Sequence, residues 1–304
     1  VTSTLDRPVK ATNFQGVGLR RKVTNNVATV LVTLSVLIAL VPLLWVLYSV
    51  IVKGFKALTS PVWFTNSQAG MTAFEAGGGV YHAIVGTLLQ GLVCAAISIP
   101  IGVFVGIYLV EYGGGTRFGK MTTFMVDILT GVPSIVAALF IYALWVATFG
   151  FGRSGFAVSL SLVLLMIPVI VRSTEEMLRI VPMDLREASY ALGVPKWKTI
   201  VRIVIPTALS GIVTGIMLAL ARVMGETAPL LVLVGYAQAM NFDMFDGFMG
   251  SLPGMMYDQT SAGAGANPVP TDRLWGAALT LILLIAILNI GARFLAKFFA
   301  PKKV

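Results

Sequence analysis

The sequence predicts an all-α polytopic membrane protein with six transmembrane helices and a short cytoplasmic helix between the fourth and fifth spans. Three observations carry that reading. Of 304 residues, 57% are hydrophobic and only 12% charged, about half the roughly 25% charge of soluble domains. The apolar residues form uninterrupted blocks close to or above the ~20 residues that cross a bilayer, whereas a water-soluble core spaces them at helical or strand periods. Lys and Arg also crowd the alternate connections between blocks. A soluble enzyme and a disordered chain are excluded. Cys94 is the single cysteine, so no intramolecular disulfide is possible and a structural zinc site would lack its usual thiolates.

The blocks fall at 27–52, 83–110, 124–148, 155–171, 207–235 and 274–292. Residues 1–26 read as a polar N-terminal arm, 27–300 as one six-helix membrane domain and 301–304 as a tail. The first block follows that arm and is too long for a signal-peptide core, so it is expected to stay as an anchor. Of the 22 Lys and Arg residues, 17 lie in the arm, the 111–123 and 172–206 connections and the C-terminal end. Lys53, Lys56, Arg153 and Arg273 fall on the other side, and Arg222 lies inside a block. By the positive-inside rule both termini are cytoplasmic. The net charge of +9 thus reads as topology, and nucleic acid is not an expected partner.

The outer connections read as loose. One contains Gly77, Gly78 and Gly79; the other, 236–273, holds Asp243, Asp246 and Asp258 and then a Ser/Gly/Ala/Asn/Pro run at 261–270. In the second block Gly102 and Gly106, four apart, mark a helix-packing face. Asp127 opens the third block on the cytoplasmic side and is expected to pair with a basic loop residue. Trp45, Trp145 and Trp275 read as packing or interfacial anchors, and His82 as an interfacial residue beside Tyr81.

The connection 172–206 mixes charge with apolar residues at helical spacing and should be folded. Within it 184–192 reads as one short helix. Asp184 followed by Glu187 resembles a capping-box start, and Gly193 suits a left-handed stop. Leu185, Ala188 and Leu192 share a face. A helix of about ten residues is marginal in water, so it must pack on its own bundle or on a partner.

Glu187-Ala188-Ser189, three residues, Gly193, nine residues and Ile203-Val204-Ile205-Pro206 are similar to the EAA loop of permeases of ATP-binding cassette (ABC) importers. That pattern is Glu-Ala-Ala, three residues, Gly, nine residues, Ile, any residue, Leu-Pro. Ser189 and Ile205 depart from it without changing the spacing. The resemblance implies a coupling helix seated in a groove of a cytoplasmic ATPase, involving Asp184, Leu185, Glu187, Ala188, Ser189, Leu192 and Gly193. A rigid apolar knob of this kind can pass a rigid-body movement to membrane helices. The bland reading is an amphipathic loop helix resting on lipid headgroups.

The fifth block carries Arg222 near its midpoint, where insertion scales make an arginine about 3 kcal/mol unfavourable, so it should face protein or water. Gly211, Gly215, Arg222 and Glu226 follow i, i+4 and i+7 steps and are expected on one helix face. Glu226, one turn on, suits either transport or a structural ion pair with Arg222. The segment from Ala221 to Leu231, together with Gly131-Val132-Pro133-Ser134-Ile135-Val136, resembles the phosphate-specific transport permeases. Thr227-Ala228-Pro229-Leu230-Leu231 favours their PstA-type subunit over the PstC-type partner.

That resemblance implies half of the translocation pathway of a phosphate importer, with Arg222 at the position assigned to phosphate movement. A guanidinium can bind phosphate oxygens bidentately and keeps its charge, and Glu226 would limit how tightly the anion is held. It also implies a homologous PstC-type permease, a PstB-type ATPase dimer holding ATP and Mg²⁺, a PstS-type extracytoplasmic binding protein and membrane lipid as partners. This chain itself would bind no cofactor and catalyse nothing. One Arg and one Glu suit phosphate, sulfate, molybdate or phosphonate alike, so phosphate rests on the resemblance.

Two further motifs are weaker. The segment from Gly114 to Met121 nearly spells a Walker A loop but has Met121 where Ser or Thr is needed and no strand before it. Gly152-Arg153-Ser154-Gly155 matches the Gly-x-Ser-Gly of intramembrane serine proteases, which would need His82 within reach of Ser154.

Overall fold

The computed structural model describes residues 18–299, so most of the expected N-terminal arm and the tail at 301–304 lie outside the described residues. Among the described residues there are eleven α-helices and no strand. Five helices are long and apolar enough to cross a membrane, and a sixth span is counted if one bent pair is taken together. The first helix, α1 (Leu19–Leu58), begins ahead of the first block and falls in two units. Residues 19–49 form one, with an apolar surface exposed along its whole length; residues from Val50 onward belong to the other.

In the second unit, α2 (Tyr81–Ile107) continues through a π-helical turn to Tyr112 and lies along α5 (Gly155–Ile180). The two glycines predicted as a packing face make that contact. A Cβ on Gly102 would lie 2.7 Å from Cβ of Ile170, and one on Gly106 2.8 Å from Cβ of Thr174. α5 therefore runs past the expected end of the fourth block, and its last turns carry Arg172, Glu175 and Arg179. Arg172 bridges Asp127 and Glu175, so Asp127 does pair with a basic residue.

The third block is not one straight helix. α3 (Arg117–Thr130) and α4 (Ser134–Ile141, extended in a π-helical run to Thr148) meet at 105°. The break is local in origin: Gly131 ends α3, and Pro133 has no N–H to donate and disfavours helical geometry at Val132. Thr116 caps α3, its hydroxyl accepting from the Gly119 amide at 2.9 Å. The Walker-like segment is thereby a helix start.

α6 (Met183–Ala191) and α7 (Lys196–Thr199) lead through a π-helical turn (Ile200–Val204) into α8 (Ile205–Met224), followed by α9 (Ala228–Leu233). Ala137, Ala138 and Ile141 of α4, Leu162 and Met166 of α5, Val223 of α8, and Leu230 and Leu233 of α9 share the central apolar core with Cys94 of α2.

The connection 236–273 is folded more than its composition predicts. α10 (Leu252–Ser261) buries Leu252, Met255 and Gln259, and α11 (Pro268–Phe299) already starts at Pro268. Hydrophobic contact with Ala57, Trp63, Val80, Ala83, Ala277 and Leu281 holds α10 in place. Gly79 is part of a close approach, since a Cβ there would sit 2.3 Å from the Asn66 carbonyl. Arg273 donates to the carbonyls of Thr72, Glu75 and Gly77 and is only 3% exposed. An Arg that replaces water with carbonyl partners can be buried at this cost.

Candidate functional site

Arg222 and Glu226 lie at the junction of α8 and α9, but not as one continuous helix face. α8 ends at Met224, where the Gly225 amide donates back to the Arg222 carbonyl and the Glu226 amide to the Val223 carbonyl, each at 3.2 Å. Pro229 in the first turn of α9 explains the interruption, because its ring pushes Ala228 away from a continuing α8. Arg222 is therefore in the last turn of α8, where the carbonyl end of the helix favours a cation.

Of Gly211, Gly215, Arg222 and Glu226, expected on one face, the first three lie within α8 and Glu226 falls beyond its end. A Cβ on Gly211 would fall 2.1 Å from Sδ of Met177, and one on Gly215 1.6 Å from Oγ of Ser173, so both glycines press on α5. The contact ridge then continues through Ala219 and Val223, which are buried, while Arg222 is exposed. At 3.6 residues per turn Arg222 stands within about 20° of Gly215 around the axis of α8, so its exposure means that α5 no longer covers that face at the last turn of the helix. Arg222 and Glu226 form no ion pair with each other or with any other described residue. The structural ion-pair reading of Glu226 is not what the fold builds.

Glu226 is half-buried and lines a cavity of about 10 Å³ together with Thr87, Gln90 and Gly91 of α2 and Met224 of α8. Gln90 is 3% exposed, and its Nε2 has no hydrogen-bond partner. Sequence reading missed Gln90, because a single amide in an apolar block carries no motif.

The second group of predicted residues lies on and after α6. Gly193 has φ +73° and ends the helix in the left-handed region, as its position in the sequence predicts. The capping box is not formed: Pro182 occupies the cap position without a side-chain cap, which places Asp184 in the first turn. Leu185, Ala188 and Leu192 are exposed, Leu192 to 83%. The opposite face is tied down by polar contacts. Arg186 pairs with Glu111 at the end of α2 and donates from Nη2 to the Leu178 carbonyl at 2.9 Å. The Ser189 and Thr199 hydroxyls are 2.8 Å apart. Lys196 donates to the Glu111 carbonyl and stands 4.7 Å from the Tyr112 ring centre. Asp184 and Glu187 are exposed at the rim. α6 is thus anchored by its polar side and offers its apolar side outward.

The protease arrangement is absent. Ser154 is fully buried and caps α5, its hydroxyl accepting from the Ala157 amide. His82 is buried rather than interfacial: its Nε2 is 2.8 Å from the Tyr236 hydroxyl, which donates to Oε1 of Gln68 at 3.1 Å. Burial raises the Tyr236 phenol above its ordinary pKa.

The comparisons with known proteins come to the same architecture. The family described as binding-protein-dependent transport system inner membrane component matches residues 98–304. The chain is 56% identical over 303 residues to the phosphate transport system permease protein PstA of Mycobacterium leprae, covering 99% of this chain and 97% of that protein. It is 38% identical over 285 residues to the PstA protein of Pasteurella multocida, covering 93% and 96%. Among solved structures, a chain of the inward-facing MetNI methionine ABC transporter is similar with a TM-score of 0.55 at 18% identity, over 73% of this chain and 94% of that one. A chain of a bacterial ABC transporter involved in alginate import reaches 0.61 at 13% identity, over 91% and 98%. At such identities these structures bear on the fold alone.

Proposed function

The chain belongs to the family of binding-protein-dependent transport system inner membrane components, and from that premise we propose that it is the membrane permease subunit of an ATP-driven inorganic phosphate importer. It resides in a bacterial inner membrane and forms half of the translocation pathway. The observation that carries the substrate is the near full-length similarity to proteins named phosphate transport system permease PstA.

Arg222 supports the transport reading physically. Its guanidinium is exposed at the end of α8 and engaged by no acidic side chain among the described residues. An unpaired arginine in an apolar span belongs against a wet path or a second subunit, and its planar fork matches phosphate oxygens. Glu226, beyond the helix end, limits how long the anion stays. The partners in this reading are a PstC-type permease, a PstB-type ATPase dimer that holds ATP and Mg²⁺, and a PstS-type binding protein outside the cell. This subunit hydrolyses nothing, binds no cofactor of its own, and keeps both termini in the cytoplasm.

The coupling element is α6. Leu185, Ala188 and Leu192 seat in the ATPase, with Asp184 and Glu187 at the rim, while Ser189 and Gly193 fix the geometry of the helix and its stop. Because Arg186 ties α6 to the end of α2, a push on α6 reaches the long helices as a rigid displacement.

The test is uptake of radiolabelled phosphate by cells lacking their own such subunit, complemented with this chain and its partners. Wild type restores uptake, and Arg222→Gln at equal membrane abundance lowers it at least about tenfold, the effect of about 1.4 kcal/mol at a transport barrier. Failure of wild type to restore uptake overturns the phosphate assignment, and sulfate and molybdate uptake are then measured in the same cells.

A further inference from the structure

The seam between α2 and the α8–α9 junction brings together two groups that are each half of a hydrogen bond. On one side, Gln90 is 3% exposed and its amide Nε2 is without a partner. On the other, Glu226 lines the same cavity, and no hydrogen bond or ion pair among the described residues engages its carboxylate. Side-chain chemistry makes them complementary, since an amide nitrogen only donates and a carboxylate only accepts. The other polar groups nearby are occupied. Thr87 donates to the Ala83 carbonyl and accepts from the Leu252 amide, each at 2.8 Å, and the Ser251 hydroxyl caps α10.

Gln90 and Glu226 share this cavity with the side chains of Leu162, Met224 and Leu230. A Cβ on Gly91 would lie 3.5 Å from Cγ of Met224, so α2 and the end of α8 approach closely at this level. The cavity between them is about 10 Å³, close to the space of one water. A buried donor left unmade is costly, and such an exception asks for an explanation. A small rotation at the Gly225–Thr227 break, where α8 already ends in two i→i+3 backbone bonds of 3.2 Å, would carry Glu226 toward α2.

We propose that Gln90 and Glu226 are the two halves of a latch across this seam, open in the present conformation and closed in another state of the transport cycle. Gln90 is then a positioning residue. When the latch is closed its amide holds the Glu226 carboxylate on the α2 side and leaves Arg222 free for the anion. When it opens, as here, Glu226 is no longer held by α2; it makes no ion pair with Arg222 in this conformation, but its negative charge four residues from Arg222 favours departure of the anion. This rests on the transport role read for Arg222 and Glu226, but its test does not depend on the substrate.

The experiment is a double-mutant cycle on the melting midpoint of the full assembled transporter, nucleotide-free and vanadate-trapped. Gln90→Met and Glu226→Met keep side-chain length and remove donor and acceptor. In one of the two states the double variant is expected to depart from additivity by about 1 °C, since about 1 kcal/mol moves the midpoint less in a large assembly than in a single domain, and to be additive in the other. Additivity in both states, or equal coupling in both, overturns the latch. The swap of Gln90→Glu with Glu226→Gln, which retains one donor and one acceptor, should restore the state-dependent midpoint even if a methionine variant assembles poorly; a swap no better than either single substitution also overturns it. Phosphate uptake by wild type is scored separately, so loss of the substrate assignment and loss of the latch are read from different measurements.

Discussion

Arg186 of α6 and Glu111 in the π-helical turn that ends α2 form an ion pair with 8% and 4% of their side chains exposed. The pair sits under the helix whose apolar face points outward, and Lys196 and the Leu178 carbonyl complete its surroundings. Removing one partner from a buried pair leaves an uncompensated charge and costs about 3–5 kcal/mol, whereas removing both with apolar replacements of similar volume costs much less. Glu111→Ala or Arg186→Ala should therefore lower the melting midpoint of the purified transporter more than Glu111→Leu combined with Arg186→Met. A double variant that melts below both single variants rejects this account.

The outward face of α6 should behave oppositely. Leu192 is 83% exposed, and substitutions at such positions change folding by about 0.5 kcal/mol or less. Leu192→Asp is expected to leave the abundance of the chain in the membrane unchanged while co-purification of the ATPase falls at least about tenfold, the cost of burying one unpaired polar group at a contact. Ser189→Val, which breaks the bond to Thr199, should instead lower stability. Equal ATPase recovery with Leu192→Asp would remove this face from the docking surface.

Where α2 lies on α5, no room exists for a side chain at Gly102. With Cβ of Ile170 only 2.7 Å from the added carbon, Gly102→Ala should cost about 1–3 kcal/mol through overpacking. Ile170→Ala in the same chain should return part of that loss by clearing the site. Measured in detergent melting curves, a double variant no more stable than Gly102→Ala alone would place the strain elsewhere.

Asp258 on α10 supplies a pH test. Desolvation by burial raises its pKa above the ordinary 3.8, partly offset by the Gln259 amide, Arg273 and Gln238. A group whose folded pKa lies above its unfolded one stabilises fully below the unfolded value and loses that contribution as pH rises through the folded value. Asp258→Asn should accordingly be as stable as wild type or more so at pH 7, with the difference shrinking as pH falls toward 4. Melting curves of the two chains that run parallel across that range would contradict the sign.

Much of this architecture was legible because it is local. Uninterrupted apolar runs mark the spans, Gly193 stops a helix wherever a left-handed residue is needed, and Gly102 with Gly106 presents a flat strip in any helix. The 105° bend between α3 and α4 was hidden inside an apolar block that hydropathy reads as continuous. Its signal was present in Gly131-Val132-Pro133, which hydropathy does not weigh. The connection 236–273 misled for the opposite reason: small polar residues at 261–270 resemble a loose linker, yet Leu252 and Met255 just before them fill a core built by α1, α2 and α11.

Composition, block length and the placement of Lys and Arg determined by themselves that this chain is a bundle of membrane helices with a folded connection after the fourth span, because each depends on residues close in sequence. Tertiary structure alone decided which side of α8 meets α5, and with it that Arg222 is exposed and free of Glu226. The partner of Arg186 and the buried partners of His82 were likewise set only by the fold. Those outcomes depend on how far along α8 a second helix covers it and on contacts between residues 75 and 154 positions apart, and no local pattern encodes either.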